Sequence, residues 1–154
     1  MRSMIDIEAL WARIHRMGLL RKVRILLADD HPGFPEIEER LLESEFEVIG
    51  KVCNGQALFE EAMRLKPDVI VSDISMPILN GIEAADRLKE SGCNSRIVFL
   101  TVHSDTEFVR RCLSAGAFGY VPKSRVANDL VPAIRAALEG NIFVSRHLRH
   151  ANEW

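Results

Sequence analysis

The sequence predicts an α/β fold: a three-layer (βα)5 sandwich built on a doubly wound parallel sheet. Three observations lead there. Five short apolar runs recur along the chain, segments of helical period separate them, and the runs at 23–28, 68–72 and 96–101 are nearly continuous in apolar residues. A continuous run rich in β-branched residues is how a strand buried on both faces reads. Strands alternating with single helices give a parallel sheet covered on both sides, with right-handed crossovers.

The runs are Val23–Ala28, Phe46–Val52, Asp68–Ser72, Arg96–Thr101 and Ala117–Val121. After the first, Pro35 marks a first helical turn, and Ile37, Leu41 and Leu42 share a face. Ala57, Leu58, Ala62 and Leu65 form the next stripe, which Pro67 stops; Ile82, Ala85 and Leu88 form the third, closed by Gly92. Ser104-Asp105-Thr106-Glu107 reads as a capping box before Phe108, Val109, Cys112 and Leu113, and Gly116 closes that helix. The last stripe is Leu130, Ile134, Ala137 and Leu138, ended by Gly140, with Pro132 expected early in its helix, where a missing N–H costs least.

The ends differ from this middle. Residues 1–22 carry Arg2, Arg13, Arg16, Arg21 and Lys22 against Asp6 and Glu8, and Ile7, Leu10, Trp11, Ile14 and Met17 have approximate helical spacing. A basic amphipathic helix on one hand, and on the other a frayed extension or an overlong start with Met17 as the real initiator, are equal readings of this segment. As a helix, its Ile7, Trp11 and Ile14 are expected to dock on a partner or a second subunit. The organisation is thus an extension over 1–22, a domain over 23–144 and a short tail over 145–154.

Composition narrows the function classes. The 154 residues are 47% apolar with a formal charge of −2, so a packed core is expected and the whole surface does not advertise nucleic-acid binding. Cys53, Cys93 and Cys112 are odd in number and lack metal-ligand spacing, which fits reduced thiols in the cytoplasm. No apolar run approaches the roughly 18 residues of a membrane span, and arginines interrupt any signal-like segment.

In an open α/β sheet, ligands bind beyond the carboxyl ends of the strands. Asp29-Asp30 end the first strand, Asp73 the third and Thr101 the fourth, while Lys123 closely follows the fifth. Singly, each is an ordinary loop or capping residue. Together they place three carboxylates, a hydroxyl and an ammonium on one rim. Clustered carboxylates repel unless a proton or a cation joins them, and all-oxygen ligation with open positions suits Mg²⁺. A carboxylate there can attack phosphorus while the cation and Lys123 neutralise charge on the phosphoryl oxygens. Six Glu between Glu36 and Glu47 are expected on the exposed side of the first helix of the domain and its turn, and Cys112 in the core. His147 and His150, with Arg146 and Arg149, read as a solvated tail.

LLADDHP, DVIVSDISMPILNG, FLTVH and GAFGYVPKS together resemble the CheY-like receiver domain of two-component response regulators, over roughly Val23 to Val144. The resemblance implies a flavodoxin-like strand order, 2-1-3-4-5. It implies that Asp73 is the phosphoacceptor and that Asp30 and Asp73 hold Mg²⁺ by their side chains, with Asp29 acting through water and Ser75 through its backbone carbonyl. Pro77 and Gly81 would shape the loop and the next helix start. Lys123 would pair with the phosphoryl group, Thr101 would move toward it, and Tyr120 would turn inward as Thr101 shifts. The surface so altered would run from about Asp105 to Glu139. The implied partners are a sensor histidine kinase or phosphotransfer protein and a downstream protein.

ADDHP, GYVPKS and AIRAALEGNIFVS are most similar to the NarL/FixJ-type subgroup, whose members usually continue into a helix-turn-helix domain. The 154 residues end before one begins, so a stand-alone receiver is expected, without direct DNA binding. Three departures from the family pattern stand out. Val102 follows Thr101 where a smaller residue is common, and His103 and Ser75 stand near the expected water approach, where they would tune dephosphorylation. Many relatives have Lys-Pro with a cis peptide, but here Ser124 follows Lys123, and a cis bond before Ser costs roughly 2.5–4 kcal/mol. Two other readings compete. A haloacid-dehalogenase-like phosphatase also uses a strand-end Asp, but wants a second Asp where Ser75 stands. A degenerate receiver acting as a scaffold sits poorly with all five site residues being present.

Overall fold

Residues 6–16, 21–102 and 106–145 are described by the computed structural model, with the side chains of 12–16 outside that description. His103, the first half of the Ser104–Glu107 capping pattern and the His147/His150 tail therefore lie outside the described residues.

The strands are β1 (Arg24–Ala28), β2 (Glu47–Val52), β3 (Val69–Asp73), β4 (Arg96–Thr101), β5 (Gly119–Pro122) and a two-residue β6 (Phe143–Val144). They form one sheet in the order β2-β1-β3-β4-β5-β6, with every pairing parallel. The first five stand in the anticipated order; β6 extends the sheet where the sequence had shown only the residues after Gly140. Its pairing is brief: Gly119 opposite Phe143 and Tyr120 opposite Val144.

Strand alternation splits the core in two. On one face Leu26, Ala28, Ile70, Phe99 and Tyr120 pack with Leu58 and Ala62 of α3 (Gly55–Leu65), Ile82 and Leu88 of α4 (Gly81–Glu90), and Val109 and Cys112 of α5 (Thr106–Ser114). On the other, Ile25, Leu27, Val71, Val98, Leu100 and Val121 meet Leu42 of α2 (Phe34–Leu42) and Leu130, Ile134 and Ala137 of α6 (Val126–Leu138). Both faces of β3 are buried along its whole length, as its continuous apolar run requires. Burial pushes the Cys112 thiol up to about 12, which makes it an inert core residue.

Three expectations are corrected. Ile37 is half exposed, and the buried face of α2 runs instead through Glu38 and Leu42. Glu38 is thereby 1% exposed, not part of a solvated acidic face. Pro132 lies inside α6 rather than in its first turn, because the helix already begins at Val126; the missing N–H leaves the Asn128 carbonyl without its usual donor.

The N-terminal segment forms α1 (Ile7–Arg16). Trp11 packs against the second core cluster, and with Ile7 it lines a groove closed by Glu45, Arg135 and Leu138. Trp11 thus serves this chain's own domain, while Ile7 and Leu10 remain exposed. The Ile14 side chain is outside the described residues.

Candidate functional site

Register brings the rim residues together. Ala28 stands opposite Ser72 and Asp73 opposite Leu100, so Asp29, Asp73 and Thr101 leave adjacent strands within one residue of the same level. Thr101 stands opposite Pro122, and Lys123 follows it in a single 3-10 turn. The Asp29 N–H donates to the Val52 carbonyl at 3.0 Å, which ties the end of β1 to β2.

The loop after β3 is built on a close backbone approach. The Gly81 N–H donates to the Ile74 carbonyl at 2.8 Å, and a Cβ on Gly81 would stand 2.2 Å from the Asp73 carbonyl oxygen. No side chain fits there. Asn80 caps α4 by accepting from the Glu83 N–H at 2.8 Å. Ile78 is held at φ 72°, with the Leu79 N–H donating to the Pro77 carbonyl across it; a β-branched residue in that region is strained. We expect Gly81→Ala to cost on the order of 2–4 kcal/mol, read as a lower urea midpoint. An unchanged midpoint would show that the loop relaxes freely.

Asp29 is 3% exposed, Asp73 2% and Thr101 fully buried, while Asp30 is exposed. Lys123 Nζ lies 2.8 Å from Asp29 Oδ2 and donates to Asp73 Oδ2 at 3.1 Å, with the Phe34 ring 4.5 Å from the ammonium. The ammonium is in ion-pair contact with Asp29 Oδ2 but not aligned to donate to it, so that buried oxygen has no hydrogen bond. The Lys123–Ser124 peptide is trans. Tyr120 is fully buried, so its ring already lies inward, and Ser75 is exposed beside Asp73.

Two residues of this site escaped the sequence reading. His31 Nδ1 stands 3.0 Å from Asp29 Oδ1, 3.4 Å from Asp30 Oδ1, 3.0 Å from Asp73 Oδ2 and 2.8 Å from Lys123 Nζ. Its backbone N–H also donates to Asp29 Oδ1 at 2.8 Å. The signal lay in its place directly after the acidic pair. The second is Glu38, buried beneath the rim with Oε2 unpartnered. Desolvation, aided by the negative charge of Asp29 and opposed by Lys123, pushes its carboxyl up to about 9, so it is neutral at pH 7.

One ligand atom from each of Asp29, Asp30, His31 and Asp73 lies within 4.8 Å of the others. Three convergent carboxylates, two of them buried, fit a hard divalent cation. What the arrangement offers chemically is a nearly buried carboxylate, Asp73, whose charge is held between an ammonium and a cation position.

Comparison with known proteins identifies the family. Residues 25–135 match the response regulator receiver domain model. The chain is 36% identical over 126 residues to the nitrate/nitrite response regulator NarL of Escherichia coli K12, covering 80% of this chain and 58% of that protein. It is 34% identical over 131 residues to the transcriptional regulatory protein DegU of Brevibacillus brevis, covering 84% and 56%. The chain thus spans a little over half the length of these relatives. Among solved structures it resembles the receiver domain of a NarL from Mycobacterium tuberculosis, at 28% identity and a TM-score of 0.76, covering 79% of this chain and all of that one. No helix among the described residues is long and apolar enough to cross a membrane. By its matched residues, its strand order and its acidic rim, this chain belongs to the response regulator receiver domain family.

Proposed function

We propose that this receiver is a phosphoacceptor switch in the cytoplasm, phosphorylated on Asp73 by a sensor histidine kinase or phosphotransfer protein. The observation that carries the reading is the buried Asp73 carboxylate with Lys123 Nζ 3.1 Å from its Oδ2 at the mouth of an acidic cluster. In the transfer, an Asp73 oxygen forms a bond to phosphorus while the donor's bond to phosphorus breaks, and the leaving group keeps the electron pair. Lys123 holds and neutralises the arriving phosphoryl oxygens, and Thr101, at the level of Asp73 on the neighbouring strand, donates its hydroxyl to them. Asp29, Asp30 and Asp73, with the Ser75 carbonyl, would hold Mg²⁺. That ion adds charge neutralisation on the transferring group.

Phosphorylation then favours one of two conformers of the surface formed by α5, β5 and α6, with Thr101 and the inward Tyr120 as the coupled pair. The output in this reading is a changed contact with a downstream protein. Direct contact of the receiver with DNA forms no part of it, consistent with a formal charge of −2. Incubation with acetyl phosphate and Mg²⁺ is expected to add one phosphoryl group by intact mass, and Asp73→Asn to add none. An adduct undiminished in Asp73→Asn would remove Asp73 from its role. Steady turnover of a phosphomonoester would point to a phosphatase instead.

A further inference from the structure

The position of His31 raises a question that the carboxylates alone do not. Its Nδ1 is 2.8 Å from an ammonium and 3.0 Å from each of two carboxylate oxygens, with a third at 3.4 Å. A protonated Nδ1 meets only one carboxylate well and faces Lys123 donor to donor. An unprotonated Nδ1 accepts from Lys123 and faces three oxygens lone pair to lone pair. In the second arrangement Lys123 and the His31 backbone N–H give Nδ1, Asp73 Oδ2 and Asp29 Oδ1 a donor each, but the ligand atoms of His31 and three carboxylates still converge on one point.

A divalent cation at that point answers the convergence directly. Two ligands about 2.1 Å from an ion and at right angles stand about 3.0 Å apart. That is the separation of His31 Nδ1 from both Asp29 Oδ1 and Asp73 Oδ2. The backbone N–H of His31 is anchored on Asp29 Oδ1 at 2.8 Å, so the ring springs from a fixed point at the lip of the cluster. Asp29, its side chain fully buried, faces the Lys123 ammonium with Oδ2 at 2.8 Å and turns Oδ1 toward His31 and the cluster.

We infer that His31 is a metal ligand of this site, and that its imidazole nitrogen turns an all-oxygen Mg²⁺ position toward borderline ions such as Mn²⁺ and Zn²⁺. Carboxylate and water ligands suit Mg²⁺, whereas imidazole adds affinity for the later transition ions. The inference rests on the reading of the acidic rim as a cation site and adds to it the nitrogen donor and the ion preference. Lys123 does not compete with this role, since it keeps Asp29 and Asp73 as partners when Nδ1 turns to the ion.

The test is calorimetric titration of the full chain with Mg²⁺, Mn²⁺ and Zn²⁺ separately, together with pulsed electron paramagnetic resonance of the Mn²⁺ complex. His31→Ala is expected to weaken Mn²⁺ and Zn²⁺ binding about tenfold or more while changing Mg²⁺ binding by less than about threefold. Nitrogen-14 coupling to Mn²⁺ should be present in the wild type and absent in His31→Ala. The inference falls if the wild-type complex shows no nitrogen coupling, if the coupling survives His31→Ala, or if all three ions change in parallel. An increase in all three would mean that His31 only fills the cation position and must be displaced. Asp30→Asn and Asp73→Asn separate the two levels. If they leave Mn²⁺ binding intact, the acidic-rim reading fails and the inference with it. If they abolish binding while nitrogen coupling is missing in the wild type, the inference alone fails.

Discussion

Lys123→Met is expected to lower stability by about 3–5 kcal/mol in EDTA and to regain most of it in millimolar Mg²⁺. The Lys123 side chain is 8% exposed, and it bridges two carboxylates that are themselves 0% and 2% exposed. Removing the ammonium while keeping a chain of similar shape leaves Asp29 and Asp73 facing each other without a countercharge. Burial prevents water from screening them, so the cost belongs to the uncompensated pair rather than to lost packing. A cation bound by the native state alone stabilises it by mass action, and more so where Lys123 is missing and its charge is needed. The same variant should form the acetyl phosphate adduct on the order of 10²-fold more slowly, because one donor to the phosphoryl oxygens is gone. Urea midpoints of wild type and variant, each with EDTA and with Mg²⁺, decide the matter. A loss that Mg²⁺ leaves untouched would mean that Lys123 acts through packing against Phe34 rather than through charge.

What the sequence displays and what it hides follow from the range of the interactions. Strands β1, β3 and β4 were legible because burial on both faces leaves a continuous apolar record in the residues themselves. The five rim residues were legible because strand ends are fixed by those runs, and parallel register then aligns them. Strand β6 has only two residues, too few for any period to register. Glu38 was misread because a glutamate on a helix reads as solvated, and only the packing of α2 across the sheet, on the side of α6, shows it buried. His31 was passed over because its backbone place is local, while its side chain meets groups from β1, β3 and the turn after β5. The self-packing of Trp11 depends on α6 and on Glu45, far along the chain, so an amphipathic stripe alone pointed to an outside partner.

Glu38 also supplies the second large effect. Its carboxyl is neutral in the folded state up to about pH 9, whereas in the unfolded chain it ionises near its ordinary value of 4.5. Between those limits the unfolded state holds fewer protons than the folded one, so stability falls as pH rises. Each pH unit in that window costs on the order of 1 kcal/mol, and the whole window several. This runs opposite to the usual carboxylate, whose depressed pKa makes acid the destabilising direction. In metal-free buffer, wild-type stability should therefore decline from about pH 5 to pH 9. Glu38→Gln keeps the shape and cannot ionise, so its profile should lack that decline, and the two proteins should converge near pH 5. Glu38→Leu also lacks ionisation and removes the unpartnered polar atom, so it should exceed Glu38→Gln by about 1–3 kcal/mol across the pH range. Urea denaturation at several pH values measures all three. Parallel profiles for wild type and Glu38→Gln would show that Glu38 finds a partner or water on ionising, and that the negative charge of Asp29 does not reach it.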